Sequence, residues 1–141
     1  MQMPDVNVLV YAHREETPNH ARYAEWLTVL ATGPEPFALS EVVLQGFLRI
    51  VTNSRIFDPP SSPSDAFRFL DALLELPGCI LIRPGPGHWQ IFRQLCENGN
   101  LRGKIVADAA HAAVAIESGC EWVTADTDFA RFAPALRWLH L

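Results

Sequence analysis

The sequence predicts one α/β domain over residues 1–141, with a central, mainly parallel sheet flanked by helices. Three observations predict it. Short apolar runs of strand length recur, as in Phe37-Ala38-Leu39, Cys79-Ile80-Leu81-Ile82 and Glu121-Trp122-Val123-Thr124. Stretches with helical spacing of apolar residues separate them, and Gly, Pro and Asn clusters punctuate the joins. Strands alternating with helices favour parallel pairing, because each crossover returns the chain to the same edge. The length of 141 residues suits a single core, and 49% hydrophobic against 19% charged residues supplies one.

In chain order, a very short strand ends near Asp5, ahead of the apolar run Val6 to Ala12. A helix is expected from Asn19 to Ala31, with Trp26, Leu27 and Leu30 on one face. Thr32-Gly33-Pro34-Glu35-Pro36 breaks it. After the Phe37 strand, Ser40 is placed to cap a helix running to Thr52 with Val43, Phe47, Leu48 and Val51 inward. A Pro- and Ser-rich loop spans Ile56 to Ser64. Ser64 is expected to cap a helix through Leu76, which Pro77-Gly78 ends. Cys79 to Ile82 reads as a buried strand, His88 to Glu97 as a helix, and Lys104 to Ser118 as a helix closed by Gly119. The strand at Trp122, one helical turn at Phe129 to Phe132, and a last strand at Leu136 to Leu139 complete the chain.

Composition excludes several classes. No apolar run approaches the ~20 residues that cross a bilayer, and the opening Met1 to Arg14 lacks the basic region of a signal peptide. Cys79, Cys96 and Cys120 are odd in number and widely spaced, which fits neither a disulfide framework nor a zinc ribbon. Reduced thiols and a cytoplasmic location are the expectation. The five His residues form no helical zinc pair. A net charge of −5 argues against nucleic-acid binding through a uniformly basic surface. Ten of the eleven basic residues are nonetheless Arg, the better fork for phosphate.

The acids carry the chemistry. Asp5 ends the first strand, Glu41 opens the helix after the second, and Asp126 and Asp128 follow the Trp122 strand. Ligands of open α/β sheets bind beyond the carboxyl ends of strands, so these acids are expected at one edge. Asp108 interrupts Ile105-Val106-Ala107-Asp108-Ala109-Ala110, in a helix apolar nearly all round and so expected to be buried. A carboxylate there is costly unless paired or metal-bound. Lys104, at i−4, is the rival partner, and the dipole alone favours Glu41 in a first helical turn. Two unit charges ~4 Å apart near a surface repel by about 4 kcal/mol, so gathered carboxylates call for a divalent ion or for protonation. Oxygen ligands without Cys or His point to Mg²⁺, with Mn²⁺ as substitute.

Together, Asp5-Val6-Asn7-Val8-Leu9, Ser40-Glu41, Ala107-Asp108-Ala109 and Thr124-Ala125-Asp126-Thr127-Asp128-Phe129 resemble the PIN-domain ribonucleases. Asn53-Ser54-Arg55-Ile56-Phe57 and the total length narrow the resemblance to the VapC toxins of type II toxin–antitoxin systems. The resemblance covers essentially the whole chain. It implies a twisted parallel sheet and a metal-dependent endoribonuclease that hydrolyses RNA to a 3′-hydroxyl and a 5′-phosphate. It also implies a homodimer and a cognate VapB-type antitoxin that covers the site. By position, Asp5, Glu41, Asp108 and Asp126 match the catalytic acids, with Asp5, Asp108 and Asp126 as metal ligands. Asn7 and Thr124 match the orienting polar residues, and Asp128 an auxiliary acid. One departure stands out: Met1-Gln2-Met3-Pro4 replaces the usual aliphatic run, and Pro4 removes a ladder donor, which predicts a frayed strand.

Arg14, Arg49, Arg55 and Arg102 are the candidate RNA contacts, and His111, at i+3 from Asp108, could touch a phosphate. The tryptophans are expected in the core or at a dimer contact. A haloacid-type phosphatase is disfavoured by Asn7, where it needs a second Asp, and a receiver by Lys104, which opens a helix instead of ending a strand. A catalytically silent PIN-like module binding RNA or protein is the remaining alternative.

Overall fold

The computed structural model describes residues 1–141. Five strands form one sheet: β1 (Gln2–Pro4), β2 (Phe37–Ser40), β3 (Cys79–Ile82), β4 (Glu121–Thr124) and β5 (Trp138–His140), in the order β3-β2-β1-β4-β5. Every pairing is parallel, so the sheet is wholly rather than mainly parallel. Six α-helices connect the strands: α1 (Val6–His13), α2 (His20–Thr32), α3 (Glu41–Val51), α4 (Pro63–Leu74), α5 (His88–Gly99) and α6 (Ile105–Ser118). A 3₁₀ helix, Thr127–Phe132, follows β4. α1 packs on α2 and α3, α3 on α4, and α5 on α6.

The strand order places a switch point between β1 and β4. The chain winds outward from β1 through β2 to β3, then crosses back to β4 and β5. At such a point the loops leaving adjacent strands diverge and open a crevice. Asp5 leaves β1 and Asp126 leaves β4, so the two flank that crevice.

Strand β1 is central and not frayed. Met3 and Pro4 pair with Trp122 and Val123, and the Asp5 amide donates to the Val123 carbonyl at 2.8 Å. Amides along a strand alternate sides, so the nitrogen of Pro4 faces β2. There the ladder stops at Gln2 against Phe37, as the missing Pro4 donor requires, while the pairing with β4 is untouched. The core lies around Met3, Phe37, Phe47, Trp122 and Phe129, all essentially without solvent contact.

Several local expectations are corrected. The helix after the Pro-rich loop starts at Pro63 and ends at Leu74; Ser62, not Ser64, caps it by accepting from the Asp65 amide. Pro at the first helical position needs no amide partner, which moves the start forward. Strand β3 is an edge strand rather than a buried one, with Ile80 and Leu81 exposed. The last strand lies at Trp138–His140, later than its apolar pattern suggested. Ser40 stands at the N-cap of α3, but its hydroxyl makes no cap bond and is buried without a partner. The three cysteines are free. No helix is long and apolar enough to cross a membrane.

Candidate active site

Asp5 is the N-cap of α1, and this local role makes the turn from strand to helix. Its Oδ1 accepts from the Val6 amide at 2.6 Å. Its Oδ2 accepts from Thr124 Oγ1 at 2.5 Å and from Asn7 Nδ2 at 2.9 Å. Thr124 Oγ1 in turn accepts from the Asp126 amide at 3.0 Å, and Asn7 Oδ1 accepts from the Ala125 amide at 3.1 Å. One network of short polar side chains thus ties the exits of β1 and β4 together. Asn7 and Thr124 both donate to the same oxygen of Asp5. Asp126 caps the 3₁₀ helix by accepting from the Asp128 amide at 2.8 Å.

Asp5, Asn7, Asp108 and Asp126 line one cavity of about 350 Å³. Asp5 is buried, and desolvation lifts its carboxyl from 3.8 to about 7, with smaller upward contributions from Asp108 and Asp126. Asp108 is raised in the same direction, first by desolvation and then by Asp126. It is half-buried, forms no ion pair with Lys104, and its Oδ2 is buried without a hydrogen-bond partner. Helix α6 is therefore less enclosed than its composition suggested: Asp108 faces the cavity and not the core.

The remaining acids stand apart. Glu41, in the first turn of α3, forms an ion pair with Arg83 just beyond β3 and is not on the cavity wall. Asp128 is exposed and acts on Asp108 only through its charge. His111 lines the cavity, stacks on Trp122 at 5.7 Å, and is held neutral, its pKa lowered to about 4 by burial and then by Arg49. It is thus no cationic phosphate contact at neutral pH.

Of the four candidate arginines, Arg49 lies on the cavity wall; Arg55 and Arg102 are exposed, and none of the three has an acidic partner. Arg14 is committed to the chain itself. Its guanidinium donates to Ser61 Oγ at 2.9 Å and to the Pro59 carbonyl at 2.8 Å, pairs with Glu16 and covers the Phe57 ring. Trp122 is core, Trp26 and Trp138 pack against it, and Trp89 is exposed.

The cavity wall also carries apolar residues that the motifs did not disclose: Val10 and Tyr11 from α1, Ile50 from α3, and Ile56 and Phe57 from the following loop. The available signal was an Ile-Phe pair inside an otherwise polar, proline-rich loop. Gly46 lines the same cavity. A Cβ there would lie 2.9 Å from Val6 Cγ2, so its lack of a side chain lets α3 approach α1. Glu117 was also missed; it accepts from the Gly85 and Gly87 amides at 2.8 and 2.7 Å and holds the loop that carries Arg83.

The PIN domain family matches residues 3–134. A VapC ribonuclease of Mycobacterium bovis is 49% identical over 136 residues, covering 96% of this chain and 92% of that protein. The chain belongs to the PIN-domain family, within the VapC group. The ribonuclease VapC25 of Mycobacterium tuberculosis is 41% identical over 133 residues, 94% of each chain. Among solved structures, VapBC2 of Rickettsia felis bound to a promoter DNA fragment superposes with a TM-score of 0.71 at 22% identity, over 99% of this chain and 97% of that one. That likeness is one of fold. In this PIN domain the network of Asp5, Asn7 and Thr124 lies at the β1–β4 switch point, where the fold opens its crevice.

The carboxylates suit a hard divalent cation. All donors are oxygens, none of Asp5, Asp108 and Asp126 has a basic partner in an ion pair, and one Asp108 oxygen is buried and unpaired. No three His, Cys, Asp or Glu side chains stand close enough together to hold an ion by themselves. Mg²⁺ is commonly held through one or two carboxylates, with waters and substrate phosphate completing its shell.

Proposed function

We propose that this VapC-type PIN domain is a metal-dependent endoribonuclease, the toxin of a toxin–antitoxin pair, with Asp5, Asp108 and Asp126 as its metal ligands. The observation that carries the reading is a cavity lined by Asp5, Asp108 and Asp126, in which burial raises Asp5 and Asp108 first and repulsion from Asp126 raises both further. Protein dipoles alone do not offset that repulsion, and a cation between the three does. Mg²⁺ or Mn²⁺ would polarise a phosphodiester oxygen and favour ionisation of a water at neutral pH.

The chain's own residues have distinct parts. Thr124 and Asn7 fix the orientation of Asp5 by donating to Oδ2, so that its rotamer is set before a ligand arrives. Asp126 is fixed by the amide of Asp128 on one oxygen. Asp108 keeps a free oxygen toward the cavity. Arg49 stands where a phosphate flanking the scissile one would pass. Glu41 enters the acid set only by leaving Arg83, an exposed ion pair of small worth. We assign it an auxiliary role.

The solved structures that share the fold include VapBC assemblies from Rickettsia felis and Haemophilus influenzae, which supports a VapB-type antitoxin as partner. A homodimer is the assembly we propose for the free toxin; exposed apolar residues on β3 and α5, Ile80, Leu81 and Trp89, supply surface for it.

The test uses purified protein on total RNA with Mn²⁺, with chelator, and with Asp108→Asn. Cleavage in Mn²⁺ alone is expected, leaving 5′-phosphates. Asp108→Asn should lower the rate at least a hundredfold while keeping the wild-type melting profile. Undiminished cleavage in chelator, or by a folded Asp108→Asn protein, overturns the assignment.

A further inference from the structure

The acids account for part of the cavity wall and leave its apolar residues unexplained. Ile56 is 53% exposed although it lies on the cavity wall. The turn that carries it is held by backbone bonds: the Asn53 carbonyl accepts from the Ile56 and Phe57 amides, each at 3.0 Å, and Asn53 Oδ1 from the Arg55 amide at 2.9 Å. The core therefore does not demand an apolar side chain at this position. Phe57 beside it is backed by the Arg14 guanidinium, 4.3 Å from the ring centre. Tyr11 and Ile50 continue the same wall. Removing an isoleucine side chain from water is favourable, so apolar surface left beside a polar site is stabilised when a ligand covers it. Arg49 on that wall and the exposed Arg55 both lack an acidic partner.

We propose that this apolar part of the cavity wall is a nucleobase subsite, in which one base of a single-stranded RNA, next to the scissile phosphate, seats against Ile56, Tyr11 and Ile50 while Arg49 holds a neighbouring phosphate. The inference rests on the ribonuclease reading and names the part of the substrate that the apolar wall takes. An unstacked base has a flat apolar face joined to a polyanionic backbone. An apolar wall edged with unpaired arginines complements both. A duplex keeps its bases stacked and offers this wall only phosphates.

The test is anisotropy of a short labelled single-stranded RNA with Ca²⁺ in place of Mn²⁺, so that binding is read without cleavage. An abasic residue is moved along the RNA one position at a time. One abasic position should weaken wild-type binding about tenfold, the scale of one lost base contact. Ile56→Ser should weaken binding of the intact RNA by a similar factor and make no further difference at that abasic position. Arg49→Gln should weaken all these RNAs alike and reduce the salt slope by about one. Both variants should keep the wild-type Mn²⁺-induced melting shift. Wild-type RNA affinity in Ile56→Ser, or an equal loss on intact and abasic RNA, overturns the subsite. So does an Ile56→Ser protein that binds RNA normally but loosens the antitoxin complex, since the wall then serves a protein partner. Failure of wild-type cleavage in Mn²⁺ counts instead against the ribonuclease reading, because the anisotropy does not depend on it.

Discussion

At the residue scale, Asp5 does two things that pull against each other. As a cap and network member it is held by three donors, and as a buried carboxylate among other acids it resists ionisation. The second effect dominates without metal, because desolvation is the largest contribution to the rise from 3.8 to about 7. The pH consequence has a definite sign. Between about pH 4 and 7 the folded chain retains a proton on Asp5 that the unfolded chain has released, so stability falls as pH rises through that window. At about 1.4 kcal/mol per pKa unit the full effect is on the order of 4 kcal/mol. His111 acts oppositely: its pKa is lowered from 6.5 to about 4, so the unfolded chain takes up that proton first and stability falls as pH drops below 6.5. The wild-type profile is therefore flattened, and the Asp5 contribution is read from a difference. In chelator, the melting temperature of Asp5→Asn minus that of wild type should climb steadily from pH 4 to pH 7 and level off above. A constant difference across that range would mean that Asp5 ionises normally.

At the scale of elements, α1 and α3 form the hinge of the site. Helix α1 starts at Asp5, so any displacement of α1 displaces a proposed ligand; α3 contacts it at Gly46. Gly46→Leu places a side chain against Val6, 2.9 Å from where its Cβ would begin. Overpacking costs about 1–3 kcal/mol, set against a gain of about 1 kcal/mol in helix propensity. The expected result is a urea midpoint lowered by a net loss of up to about 2 kcal/mol, together with weaker Mn²⁺ binding, because the Asp5 cap moves with α1. A lower midpoint with unchanged Mn²⁺ affinity would show that the strain relaxes away from the site. The sequence revealed most elements and missed this one for a physical reason. Val6 to Ala12 is apolar except for Asn7, so periodicity carried no helix signal, and the Asp5 cap marks where the helix begins. Strand β3 was misjudged similarly: Cys-Ile-Leu-Ile reads as interior, and its edge position follows from strand order, which no local pattern encodes.

At the scale of the whole molecule, the site joins segments far apart in the chain. Asp5, Asp108 and Asp126 come from the exits of β1 and β4 and from α6, and the first and third are linked through Thr124. The approach of Asp5 and Asp126 was legible because both follow strands of one parallel sheet, and Asp108 because a carboxylate interrupts an apolar helix. The separation of Glu41 was not, since it depends on Arg83, a residue 42 positions later whose loop is held by Glu117. A cation bound among segments so distant in sequence binds the folded chain and has no equivalent site in the unfolded one. Its binding energy then appears as global stability: about 2.7 kcal/mol at a free concentration one hundred times the dissociation constant. For a 141-residue domain that corresponds to a rise of several degrees in melting temperature. Saturating Mn²⁺ should produce that rise in wild type and a much smaller one in Asp126→Asn, whose carboxamide still accepts the Asp128 amide and so preserves the 3₁₀ cap. Equal shifts in the two proteins would place the ion elsewhere on this acidic surface, and with it the chemistry.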